Sequence, residues 1–72
     1  MHAIPEAANI LEISEYEVLR RAYAHWHGRE AHAATIDQAF SRHLKEEEPP
    51  YWARHYADQL VREFAAANAA GI

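Results

Sequence analysis

The sequence predicts an all-α fold, a small three-helix bundle or an open three-helix arrangement, with helices over residues 14–27, 35–45 and 50–69. Three observations carry this. Apolar residues recur at spacings of three and four in three separate stretches. A helix-start signal precedes each stretch: Ser14-x-x-Glu17, Thr35-x-x-Gln38 and the pair Pro49-Pro50. No stretch alternates apolar and polar residues in the two-residue period of a strand.

Residues 1–13 have no clear period, yet Ile4, Ile10, Leu11 and Ile13 are too apolar for a solvated tail. They read as an N-terminal segment partly packed on the three-helix domain of residues 14–72. Pro5 would open a single helical turn through Ala8, or the segment would run extended; the residues leave both open.

The first predicted helix begins at Ser14, the N-cap of a capping box closed by Glu17, with Ile13 and Val18 at the spacing of a hydrophobic staple. Leu19, Ala22, Tyr23 and Trp26 form its apolar stripe, and Glu17 faces Arg20 and Arg21 on the other side. Gly28 stops it after His27. Thr35 and Gln38 repeat the capping box for the second helix, whose stripe is Ile36, Ala39, Phe40, His43 and Leu44.

The third helix follows two prolines that sit where missing N–H groups cost nothing, and three glutamates that favour the positive end of its dipole. Ala53, Tyr56, Ala57, Leu60, Val61, Phe64 and Ala65 share one face. Its stop is placed at Gly71, with Asn68 as an earlier alternative, and the alanines from Ala65 onward suit close approach of a neighbouring helix.

With 72 residues, the chain is one domain that buries about 60% of its unfolded surface. Cysteine is absent, which removes disulfides and thiolate zinc sites as staples. Eight aromatic residues exceed what three short helices hide, so self-association, most simply as a homodimer, is expected. No signal peptide or membrane span is legible, which places the chain in the cytoplasm.

The net charge of −4 argues against nucleic acid. A helix-turn-helix made of the second and third helices would put Glu46, Glu47 and Glu48 against phosphates. Catalysis has little to work with: no Cys, two Ser of which one is a cap, and no glycine-rich loop. The chain therefore reads as a non-catalytic interaction or accessory domain.

Its expected partner-binding residues are Tyr51, Trp52, His55, Tyr56 and Gln59, because Trp and Tyr dominate binding hot spots and Trp52 would project past the bundle edge at a first turn. Arg54 joins His55 and Gln59 at the rim. No cofactor is expected. The alternative is a histidine-based metal site, zinc for example, on His25, His27 and His32; His25 and His27, two apart on a helix, diverge by roughly 160° and would have to converge by fraying at Gly28. His43, inside an apolar stripe, reads as a core or interface histidine that is docked when neutral.

Overall fold

The computed structural model describes residues 3–70, which form four α-helices and no strand. The first, α1 (Ala3–Leu11), is a full helix in the N-terminal segment for which the sequence leaves open a single turn through Ala8 or an extended run. Pro5 falls in its first turn, where its missing N–H has no intrahelical partner to lose. Ile4, Ala7 and Ala8, at spacings of three and four, are buried.

The end of α1 explains why it was hard to read. Glu12 has φ 58°, its N–H donates to the Asn9 carbonyl at 3.3 Å, and the Ile13 N–H donates to the Ala8 carbonyl at 3.0 Å. That is a Schellman ending in which glutamate holds the left-handed position where glycine is the usual signal. A side chain there costs about 1 kcal/mol or more.

Helix α2 (Glu15–His27) begins as expected: the Ser14 Oγ accepts the Glu17 N–H at 3.1 Å. Glu17's carboxylate binds Arg20, through Nε at 2.8 Å, and Arg21 at 3.3 Å, while Arg20 reaches on to Glu30 at 2.7 Å and ties the following loop to the helix. Gly28, at φ 72°, ends α2 by donating its N–H to the Ala24 carbonyl.

Helix α3 (Ala33–Leu44) starts two residues before the expected position. His32 is the N-cap, with no side-chain cap bond, and its carbonyl already accepts the N–H groups of Thr35 and Ile36. Ala33 and Ala34 are strong helix formers that carry the helix past Thr35, so the second capping box does not form. At the far end Glu46, at φ 61°, repeats the glutamate Schellman ending, with Glu46 and Glu47 N–H groups on the His43 and Arg42 carbonyls.

Helix α4 (Tyr51–Ala70) starts where the prolines predict, with the Pro50 carbonyl accepting from Ala53 and Arg54. It runs through Asn68, which caps nothing; Gly71, the expected stop, lies outside the described residues. No helix among the described residues is long and apolar enough to cross a membrane.

The packing differs from a bundle of the three expected helices. α1, α2 and α4 pack on one another, whereas α3 packs on α2 alone. Leu19, Val18 and Ile36 are the largest fully buried side chains, and the rest of the core is mainly alanine, with Ala7, Ala22, Ala53 and Ala57 entirely hidden. These alanines provide the close helix approach expected of the C-terminal tail. The tail itself, from Arg62 to Ala69, is exposed, because a 20-residue helix of about 30 Å outruns the 9-residue α1 beside it.

Three side-chain contacts join α3 to α2. The Tyr16 hydroxyl donates to Asp37 at 2.7 Å, Tyr16 meets Phe40 edge-on, and the His43 Nε2 faces the Glu15 carboxylate. The Asp37 bond raises the Tyr16 hydroxyl above the usual phenol range. His43 is half-buried, and its partner across the contact is a carboxylate of α2.

Candidate aromatic docking surface

The last turn of α2 and the first turns of α4 bring six rings together. Tyr23 and His27, four residues apart on α2, share a face and receive Trp52 of α4: Tyr23 and Trp52 meet edge-on at 5.4 Å between centroids, and His27 lies 4.2 Å from Tyr23. Tyr51 and His55, four apart on α4, share a different face and receive Trp26, edge-on at 5.0 and 5.5 Å.

These groups differ in exposure. Trp52 is half-buried against the core, not projecting past the bundle edge, while Tyr51 is 58% and Trp26 41% exposed. His55 is exposed beside them. Tyr56 is half-buried in line with Ala53, Ala57 and Leu60, and His25 lies 5.4 Å from its ring. Gln59 is exposed and donates to Glu63 at 3.2 Å; with His25, Tyr56 and Leu60 these two line a shallow notch of about 120 Å³.

Of the five residues expected at a partner surface, Tyr51 and His55 thus stand in one exposed ring group, Trp52 in the packed group beneath, and Tyr56 and Gln59 around the notch. Trp26, which the sequence places in the apolar stripe of α2, completes the exposed group. Its spacing from Ala22 and Tyr23 is that of a core residue, but it lies in α2's last turn, past Ala22, the last fully hidden residue of that stripe.

Comparison with protein-family models, curated proteins and solved structures finds no match to this chain. The surface must be interpreted from its own chemistry.

The three histidines of the metal alternative are held apart. His25 meets Tyr56, His27 meets Tyr23 and Trp52, and His32 is the N-cap of α3. Among the described residues no group of three or more His, Cys, Asp or Glu is arranged to hold a metal ion. α3 and α4, the pair a helix-turn-helix would use, do not pack on each other.

The ion pairs of α2 gather at its first turns, away from the rings at its end. The Arg20 hydrogen bond, reinforced by Arg21 and opposed by partial burial, holds the Glu17 carboxyl down at about 2. Arg54 of the expected rim is engaged by Glu48 at 2.8 Å. The exposed ring group of Trp26, Tyr51 and His55 contains no carboxylate, lysine or arginine.

Proposed function

We propose that this chain is a non-catalytic protein-interaction domain that docks, and pairs with a second copy of itself, through the exposed rings of Trp26 and Tyr51 with His55 at their edge. One observation carries the reading: two large rings stand 41% and 58% exposed, braced edge-on against each other on the first and last turns of two helices. Rings held in this way lose little conformational freedom on binding, and Trp and Tyr are the residues most enriched in hot spots. Trp52 and Tyr23 support the patch from beneath, and Gln59 and the notch beside Tyr56 form its rim.

The small size of the domain favours pairing, since a core made largely of alanine leaves little apolar burial per residue. Sedimentation velocity across a concentration series tests it. The wild-type chain should be a dimer at micromolar concentration, and Trp26→Ser with Tyr51→Ser should weaken pairing about thirtyfold, equivalent to the loss of a hot spot, with helical content unchanged. A wild-type monomer at every concentration, or a double variant that still pairs, contradicts self-association through these rings.

A further inference from the structure

We propose that a cleft between the end of α3, the start of α1 and the linker into α4 is a docking groove for a basic segment of a partner protein that carries one large apolar side chain. Trp26, Tyr51 and His55 are not among its lining residues, although Arg54 of the expected rim is. The cleft measures about 600 Å³, within the range of sites that enclose a ligand or a few side chains. It exists because α3 packs only on α2, so the C-terminal end of α3 stands off from α1 and α4.

Its apolar lining includes Ile4, Pro5, Leu44 and Pro49. Leu44 is 66% exposed, the most exposed of the large apolar side chains among the described residues, although it belongs to the apolar stripe of α3. An apolar side chain entering the cleft would cover it.

Charge complementarity selects the occupant. Four carboxylates line the cleft against one arginine and one histidine. Glu48 is taken by Arg54 and Glu15 by His43, while neither Glu46 nor Glu47 joins an ion pair among the described residues. The surplus is negative and adjoins an apolar surface, so lysine or arginine flanking the apolar anchor fits it and an acidic segment is repelled. A second copy of this chain, at net charge −4, is the less suitable occupant.

The groove is also preformed. Pro49 and Pro50 restrict the linker, and the Schellman bonds from Glu46 and Glu47 to α3 fix the backbone that carries both free carboxylates. Little ordering remains to be done on binding.

The test titrates the isotope-labelled full chain with a capped heptapeptide of lysines around a central leucine, and with the same peptide in which glutamates replace the lysines. The lysine peptide should give saturable amide shifts at Ile4, Leu44, Glu46 and Glu47, weakened by added salt. Leu44→Ser should lower its affinity about tenfold, and Glu46→Gln and Glu47→Gln about threefold each. All three positions are exposed, so the variants should keep the fold, checked from the rest of the same spectrum. Equal response to the acidic peptide, absence of saturable shifts at these residues, or shifts there that follow protein concentration instead of peptide would overturn the proposal; the last outcome would assign the groove to a second copy.

Discussion

Leu19→Ala is expected to destabilise the domain by about 3 to 4 kcal/mol, the combined loss of transfer free energy and of packing around the cavity left behind. Leu19 is fully buried, as are Val18 and Ile36, and most of the remaining core is alanine that cannot move in to fill a void. Domains of this size rarely hold more than about 5 kcal/mol from a single core, so the variant should be only marginally folded. Urea unfolding followed by circular dichroism measures the loss. Leu19→Met, which conserves volume, should cost less than about 1.5 kcal/mol. A loss below about 1 kcal/mol for the alanine variant would mean that Leu19 is not at the centre of the core.

Ala7→Asp is expected to cost at least about 3 kcal/mol, because it places an unpaired carboxylate where α1 meets its neighbours. Ala7 is entirely hidden, and Ala53 and Ala57 of α4, which packs beside α1, are hidden as well. The same unfolding measurement applies, with Asn9→Asp as the control: that residue is exposed on the same helix, and its change should be within about 0.5 kcal/mol. If Ala7→Asp unfolds like the wild type, Ala7 of α1 does not belong to the core.

That contrast separates what could be read from the residues from what could not. Signals made by a few neighbouring residues were legible: Ser14 and Gly28 bound α2, Pro49 and Pro50 start α4, and Glu17 pairs with Arg20 and Arg21. α1 was hidden by Glu12, which takes a backbone conformation normally flagged by glycine, and Glu46 does the same at the end of α3. Thr35 misled because capping boxes are scored from residue types alone, and two preceding alanines extended the helix through it.

The limits of periodicity appear in the two tryptophans. Both lie at positions consistent with an apolar stripe, and periodicity gives the face of a helix but not where its neighbour begins and ends. Trp52 meets Tyr23, so it is half-buried; Trp26 lies at the end of α2, so it is exposed. Phe64, 46% exposed on the part of α4 that outruns α1, follows the same logic. The cleft at the end of α3 was equally illegible, since it depends on α3 packing on one helix only among the described residues.

The central claim is that Trp26 belongs to an open docking surface closed by a second copy, and that Trp52 supports it from within. Acrylamide quenching of the two single-tryptophan chains, Trp52→Phe and Trp26→Phe, tests both halves at once. Trp26 fluorescence should be strongly quenched in dilute protein and protected as concentration rises, while Trp52 should be shielded throughout. Quenching of Trp26 that ignores concentration, or a Trp52 that is the more accessible of the two, would contradict the account.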